Sequence, residues 1–273
     1  MAISGVSLSS SARANLIALQ LTTQLLGVSQ ERLASGKKVN TAVDDASAFF
    51  KSQSFLNRAN DLSGIKDNLS TALQTVKAAS NAIDGITKIV QQLQGLANDA
   101  LQKAVSSSDR TTLAGQYNTL RNQLDGLVND AIFNGVNLLK STGSLAVKFN
   151  EDNTSTLTIS GVDLSASGLS VSAAANAFAA DTDINVAISQ LQTALNTLRT
   201  NASTFGTNAT VIQTRSDFTA ILINTLQTAS DSLVLADINQ EGANVQALQA
   251  RSQLGISALN ISGQQQSAIL KLF

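Results

Sequence analysis

The stretch LSGIKDNLSTALQTVKAASNAIDGITKIVQQLQGLANDALQKA, residues 62–104, places an apolar side chain at alternating steps of three and four residues. The apolar positions are Leu62, Ile65, Leu69, Ala72, Val76, Ala79, Ile83, Ile86, Val90, Leu93, Ala97, Ala100 and Ala104. A mean period of 3.5 residues is typical of helices that pack in a left-handed supercoil. An uninterrupted helix of this length would measure roughly 65 Å at ~1.5 Å per residue, so the stretch predicts a rod.

Two further stretches repeat this period. The first comprises Leu113, Tyr117, Leu120, Leu124, Leu127 and Ala131, and the second comprises Ile184, Ile188, Leu191, Leu195, Leu198, Ala202, Phe205, Ala209, Ile212, Ser216, Thr219, Ile223, Leu226, Ser230 and Leu233. Short oxygen-bearing side chains predict the helix starts: Ser108 or Asp109 for the first, and Thr182 or Asp183 for the second. Three long helices with matching stripes predict a mainly α fold, a long antiparallel coiled-coil-like bundle.

The two ends of the chain carry weaker stripes, interrupted by polar and small residues. They comprise Ala12, Leu16, Leu19, Thr23, Leu26, Gln30 and Leu33 near the start, and Ala247, Arg251, Leu254, Ala258, Ile261, Gln265, Ala268 and Leu272 near the end. Burial at ~25 cal/mol per Å² would scarcely offset an ordering cost of ~1–2 kcal/mol per residue. We therefore expect both ends to be poorly ordered in the free subunit and to become helical against neighbouring molecules.

Residues 141–183 lack the helical period. Apolar residues alternate instead at Leu145, Val147, Phe149, Leu157 and Ile159. This alternation predicts a small β-hairpin with its turn at 150–155. The Ser/Ala-rich run at 165–180 is interpreted as a loop or loose cover, and the whole insert is expected on the outer side of the bundle.

The composition excludes several functional classes. A net charge of −1 gives no bulk field for nucleic acid or an acidic membrane, and no apolar run is long enough to span a bilayer. Cys and His are absent, which removes disulfides, thiolate zinc sites and the commonest general base. The first residues lack the pattern of an ordinary signal peptide. No cofactor is expected, and a chain with only 14% charged residues can pack against its own copies with little charge desolvation.

Residues 33–50, LASGKKVNTAVDDASAFF, allow two interpretations. Asp44 and Asp45 could form half of a cation site, but hard cations need several oxygen ligands and no acidic cluster supplies them. We favour a junction between helices. Gly36 would end one helix in a left-handed conformation, and both acids would face the positive end of a helix beginning near Ala46.

An enzymatic alternative rests on a weak pattern. The segments SGKK at 35–38 and SGIK at 63–66 match the serine–lysine pattern of penicillin-recognising enzymes. The partner motifs S-D-N and K-T-G are missing, and chance matches are expected in so serine-rich a chain. We therefore expect no enzymatic activity.

Three sets of residues together resemble one protein family. Leu33, Ser35, Gly36, Lys37, Val39, Asn40, Ala42, Asp44, Asp45 and Ala46 match L-(A/S)-(S/T)-G-K-x-(I/V)-N-x-A-x-D-D-A; Phe133, Asn134, Gly135, Leu138 and Leu139 match F-N-G-x-x-L-L; and Asp237 and Glu241 match D-x-x-x-E, before a final helix ending QQQSAILKLF. These motifs are similar to those of the bacterial flagellins, the subunits of the flagellar filament.

The resemblance implies a division of the chain. Segments 1–45 and 235–273 would pair as inner-core helices, 46–140 and 184–234 would form the helical rod, and 141–183 would be a short variable outer insert. The residues expected in terminal pairing and polymerisation are Leu16, Leu19, Leu26, Leu33, Leu254, Ile261 and Leu272. Glycines 64, 85, 95, 115 and 126 either permit close helix approach at subunit contacts or are simply tolerated.

The resemblance also implies a function. The subunit would be exported through the flagellar type III apparatus, secreted, and polymerised into an extracellular filament for swimming. Its partners would be other flagellin copies, the filament cap, the hook junction proteins and a secretion chaperone at the C-terminus. Two alternatives stay open: a hook–filament junction protein with flagellin-like ends, and a helical-bundle binding module that remains a monomer.

One departure from the family concerns recognition by the animal innate receptor for flagellin. Many flagellins carry an R-x-R-E cluster that this receptor recognises. The matching positions here are Gln92, Gln94 and Gly95, and a family glutamate corresponds to Gln116. Because these charges are missing, we expect poor activation of the receptor.

Overall fold

The computed structural model describes residues 10–102 and 105–270. The helices are α1 Ser10–Ser35, α2 Ala46–Leu101, α3 Ser107–Asp130, α4 Asp181–Val234 and α5 Ile238–Leu270; the strands are β1 Ser144–Lys148 and β2 Thr156–Ser160, and a short 3₁₀ helix covers Ala175–Phe178. The predicted mainly α fold with one small hairpin is confirmed.

The chain divides into two compact units. The first contains the residues up to Arg58 and those from Thr225 onward, and the second contains Ala59–Asn224. The division predicted from the sequence lay at the helix ends, near residues 45 and 235. The compact units divide inside α2 and α4: the first turns of α2 and the last turns of α4 belong to the first unit. There the buried hydroxyls of Ser52 and Ser230 hydrogen-bond to each other at 2.8 Å.

The second unit has a continuous core built on the apolar stripes of α2, α3 and α4. From Leu62 to Ala100 every stripe position of α2 is buried except Ile65, which is half-buried. Stripe positions of α3 and α4 with at most 1% exposure are Tyr117, Leu124, Ile184, Leu191, Leu198, Phe205 and Ile212. Each such side chain contributes about 1.5–3 kcal/mol by burial. The stripe prediction is confirmed for these helices, and Ala104 lies outside the described residues.

Helices α2 and α3 run antiparallel, as predicted. Gly85 of α2 faces Leu127 near the end of α3, whereas Leu96 shares a surface groove with Thr112 near the start of α3. A Cβ on Gly85 would lie only 2.9 Å from Leu127 Cδ2. This glycine is therefore explained by packing inside the subunit.

The predicted start of α3 is wrong by two or three residues. The N-cap is Ser106, whose hydroxyl accepts a hydrogen bond from the Asp109 N–H at 3.2 Å. The Asp109 carboxylate accepts the Ser106 N–H in return, which completes a capping box. Ser108 cannot take this role because no acid follows it at the third position.

Helix α4 also begins earlier than predicted. Its first residue is Asp181, so Thr182 and Asp183 lie in the first turn and not at the cap. The Asp181 carboxylate forms an ion pair with Arg110 Nη2 at 2.6 Å. The Asp183 carboxylate accepts a hydrogen bond from Asn176 Nδ2 at 3.1 Å. Both carboxylates also face the positive end of the helix dipole.

The predicted hairpin is confirmed. Strands β1 and β2 pair antiparallel with Ser144 opposite Ser160, and the Phe149 N–H donates to the Ser155 carbonyl across the turn. The alternation places Val147 and Ile159 in the core of the second unit.

Residues 163–180, here named the cover segment, contain no strand or α-helix, as predicted for a loop at 165–180, but the segment is tightly packed and the prediction of a loose cover is wrong. Its five buried apolar side chains have at most 3% exposure: Leu164, Ala166, Leu169, Val171 and Phe178. The backbone is tied to α3 by side chains; for example, the Asp125 carboxylate accepts the Ala166 N–H at 2.7 Å. Helix periodicity and strand alternation could not reveal this packing, because the segment has neither.

Candidate functional site

Helices α1 and α5 pair within the first unit through small and polar residues. Ala12 and Ser29 of α1 are buried. A Cβ on Gly255 of α5 would lie 3.2 Å from Leu19 Cδ1, so the two helices approach closely at this point. Because the fully buried positions of this pair are small or polar, its large apolar side chains are buried only in part.

The pairing face of α1 partly matches the predicted stripe. Leu16, Leu19 and Leu26 are half-buried, as expected for pairing residues. Leu33 is 36% exposed and contributes less than predicted. Buried Ser29 replaces the predicted Gln30, because the shorter side chain fits a close helix contact.

The pairing face of α5 differs from its predicted stripe. Its buried or half-buried positions include Glu241, Val245, Leu248, Ser252, Gly255, Leu259 and Ser262. Leu254 is 70% exposed and Ile261 57% exposed. Their assignment to pairing inside the subunit is therefore wrong, while their assignment to polymerisation stays a prediction. Leu272, the last residue of the predicted set, lies outside the described residues.

A buried polar cluster joins α1 to α5. The carboxylate of Glu241 accepts hydrogen bonds from Arg32 Nη1 and Asn244 Nδ2, each at 3.3 Å. The hydroxyl of Ser29 also donates to it, and this bond is the main reason that the pKa of Glu241 is lowered. Burial opposes the shift, while Asn244 and Arg32 add to it. The family motif residue Glu241 therefore holds the terminal helices in register.

Acid is expected to weaken this helix pair. The pKa of Glu241 is lower in the folded chain than its usual 4.5, so its stabilisation is fully present above about pH 4.5 and is lost as the pH falls through the folded pKa. Thermal unfolding of the monomer, followed by circular dichroism between pH 7 and pH 3, measures this loss. The variant Glu241→Gln should flatten the acid limb; a wild-type and variant pair that lose stability in parallel would contradict the assignment.

Residues 36–45 form a junction between helices, as predicted. Gly36 adopts φ +70°, and the Lys38 N–H donates to the Val234 carbonyl at 2.7 Å. The Asp44 carboxylate accepts the backbone N–H groups of Thr41 and Asn40, both at 2.9 Å, and these bonds lower its pKa. The Asp44 carboxylate therefore hydrogen-bonds to backbone groups of the junction.

The other residues of this stretch also have structural roles. Asp45 accepts the Ala48 N–H at 2.9 Å and so satisfies the start of α2. The hydroxyl of Ser35 accepts the N–H of Lys37 and a side-chain hydrogen bond from Asn40. The serine of this serine–lysine pattern therefore stabilises a turn.

Large apolar side chains remain exposed on α1 and α5. Ile17, Leu21, Leu25 and Val28 repeat on one face of α1. Leu254 and Ile261 are seven residues apart on α5, whose residues 238–270 carry only two charged side chains. Such faces can be buried against another protein surface with little desolvation of charge. None of the described helices is both long and apolar enough to cross a membrane.

The expected receptor patch lies on α2 and α3 and carries no charge. Gln92 and Gly95 are exposed on α2, Gln94 is half-buried, and Gln116 is exposed on α3. The residues that line the adjacent groove are Leu96, Thr112, Gly115, Gln116, Thr119, Leu120 and Gln123. The structure thus brings Gln116 next to α2, while Gln92 and Gln94 lie outside the groove lining.

Comparison with known proteins gives consistent matches. Residues 3–144 match the family described as the bacterial flagellin N-terminal helical region. The chain is 30% identical to flagellin FljO and 32% identical to flagellin FljN of Caulobacter vibrioides, with all of each chain covered. A crystal structure of Bacillus cereus flagellin superposes with a TM-score of 0.50 at 19% identity, covering 56% of this chain and 88% of that one.

Proposed function

This chain is a member of the bacterial flagellin family, and we propose that it polymerises with its own copies into a helical filament that drives swimming. As a flagellin, it is a structural subunit of the extracellular flagellar filament. The observation that carries the polymerisation proposal is the exposed apolar surface of α1 and α5. This surface includes Leu254 and Ile261 of α5, a helix that carries only two charged side chains.

Polymerisation needs a contact that repeats without closing. An interface between two different faces of the same subunit generates a helical fibre when the rotation does not close a ring. The pairing face of α5 is used inside the subunit, so its Leu254 and Ile261 face is free for a neighbour. Burying each large side chain there would contribute about 1.5–3 kcal/mol.

Export and the remaining partners belong to the same proposal. The chain is secreted through the flagellar type III apparatus as an unfolded polypeptide, and it meets the filament cap and the hook junction proteins at the growing structure. A secretion chaperone covers its C-terminal helix beforehand. The exposed apolar side chains of α5 support this step, because an unshielded surface of this kind promotes premature association.

Seeded growth tests the proposal. Purified subunit is mixed with short fragments of its own filaments, and the product is examined by negative-stain electron microscopy. Long filaments are expected. A hook–filament junction protein would stop at short stubs, and a binding module would remain monomeric, so either result would refute the proposal.

The terminal helices are expected to be loosely held before assembly. Small residues such as Ser29 and Gly255 lie in their contact, and the large apolar side chains beside them are only half-buried, so they stabilise it weakly. Amide hydrogen exchange should be fast in α1 and α5 of the monomer and slow in the filament. Uniformly strong protection of both helices in the monomer would contradict this prediction.

Weak activation of the animal innate receptor for flagellin is a further expectation. Arg and Glu side chains that the receptor would pair with are replaced by Gln92, Gln94 and Gly95. A reporter-cell assay should therefore show low potency. A triple variant, Gln92→Arg, Gln94→Arg and Gly95→Glu, should raise it, and full potency of the unmodified protein would refute the expectation.

A further inference from the structure

The cover segment contains a turn in an unfavourable backbone conformation. Asn176, Ala177 and Phe178 have φ values of +45°, +52° and +58°, in the left-handed region. This conformation is disfavoured about 5- to 30-fold for each L-residue, although asparagine tolerates it better than alanine or phenylalanine. Three consecutive residues of this kind persist only because surrounding contacts outweigh the strain.

The contacts that hold the turn come from α3 and α4. The Phe178 ring is fully buried and meets the Tyr117 ring edge to face, with 5.2 Å between centroids. Arg110 Nη1 donates to the Ala179 carbonyl at 3.2 Å, and Nη2 pairs with Asp181. The turn is therefore clamped on both sides of its strained residues.

The rest of the segment is held to the unit mainly by side chains, together with one backbone bond from the Leu164 N–H to the Leu139 carbonyl at 3.1 Å. The side-chain bonds to backbone groups are Asp125 to Ala166 at 2.7 Å, Arg121 to Val171 at 2.8 Å, Asn118 to Ala174 at 2.9 Å and Gln190 to Ser172 at 3.1 Å. All four can break without disturbing a single hydrogen bond within a helix. The segment can consequently leave α3 while the helices stay intact.

Two buried donors lie on residues that contact the segment and lack partners of their own. Neither the Tyr117 hydroxyl nor Arg110 Nε has a hydrogen-bond partner among the residues that the structure describes. Burial raises the pKa of Tyr117 to about 12, so its hydroxyl keeps its proton. An unsatisfied buried group disfavours the closed state about 5- to 150-fold, and opening would let water satisfy it.

We propose that the cover segment is a strained strap that opens as a unit ahead of helices α2, α3 and α4. Backbone strain at 176–178 and the two unpaired donors both oppose closure, while apolar burial and the bonds to α3 favour it. Unfolding of the second unit therefore begins at the strap. This inference goes beyond the proposed function, since it concerns the isolated subunit.

Hydrogen exchange of the monomer, read by mass spectrometry, tests the strap. Peptides covering 164–179 should exchange at least about 10-fold faster than peptides from the buried stripe of α2. The variant Ala177→Gly relieves the left-handed strain and should slow exchange in the strap about 5-fold. Tyr117→Phe removes an unpaired hydroxyl and should slow it by at least about 5-fold. The α2 peptides should be unchanged in both.

Two variants provide matched controls. Ala175→Gly, two residues away and outside the left-handed region, should speed exchange, because glycine there only adds freedom to the open state. Asn118→Ala removes the hydrogen bond to the Ala174 N–H and should also speed hydrogen exchange in the strap. Equal exchange of strap and α2 in the unmodified protein, or faster exchange in Ala177→Gly or Tyr117→Phe, would overturn the proposal.

Discussion

Filament growth is expected to stop when Leu254 and Ile261 of α5 are both replaced by aspartate. Both side chains are more than half exposed in the subunit, and α5 contacts α1 through a different face that includes Gly255. Substitutions at such positions usually change subunit stability by about 0.5 kcal/mol or less. In a filament they would bury unpaired carboxylates, which cost several kcal/mol each. The critical concentration should rise at least about 100-fold, since each 1.4 kcal/mol is a factor of ten.

Sedimentation after seeding measures this loss, with circular dichroism to show that the variant subunit still folds. The conservative pair Leu254→Met and Ile261→Val keeps an apolar surface of similar shape and should still polymerise. If the aspartate variant pellets as filaments at the wild-type critical concentration, this face of α5 does not form the subunit contact.

The second unit could be predicted from the sequence because its apolar side chains find their partners within the chain. The α2 stripe from Leu62 to Ala100 is buried almost without exception, and Thr219, a polar member of the α4 stripe, is buried in the same unit. A periodic pattern indicates a buried face whenever one chain supplies both sides of the contact. Here the period also identified the buried side of α2, α3 and the part of α4 that belongs to this unit.

The same reasoning failed on α5 because it assumed that the largest apolar side chains face the helix partner. The close approach to α1 requires small residues, so Ser252 and Gly255 take the contact. Leu254 and Ile261 are left on the outside. In a protein that binds a second copy of itself, apolar side chains that the second copy would bury are exposed in the isolated subunit.

The cover segment was missed for a different reason. Its packing depends on polar side chains of α3, such as Asn118 and Asp125, that bind backbone groups far away in the sequence. The only local signal is the density of small residues, which also occurs in mobile loops. Buried polar pairs such as Ser52 with Ser230 have the same character, since only the fold shows that the two hydroxyls meet.

Replacing Gly143 with alanine is expected to destabilise the second unit strongly. A Cβ there would overlap the Asn137 carbonyl oxygen and lie 3.2 Å from the Lys140 carbonyl oxygen. Backbone atoms cannot move aside as a flexible side chain can, so the loop before β1 must shift. The shift would also break the 2.7 Å bond from the Gly161 N–H to the Gly143 carbonyl at the base of the hairpin. We expect a loss of about 3 kcal/mol.

The matched control is the same chemical change on an exposed helix face. Nothing lies within 4 Å of a Cβ on Gly115 in α3, so Gly115→Ala should stabilise the monomer by about 0.5–1 kcal/mol through helix propensity. Urea unfolding of the two variants should therefore shift the midpoint in opposite directions. Equal midpoints for Gly143→Ala and the wild type would mean that the loop before the hairpin accommodates a methyl group, and that the close approach of Asn137 to Gly143 does not constrain the hairpin.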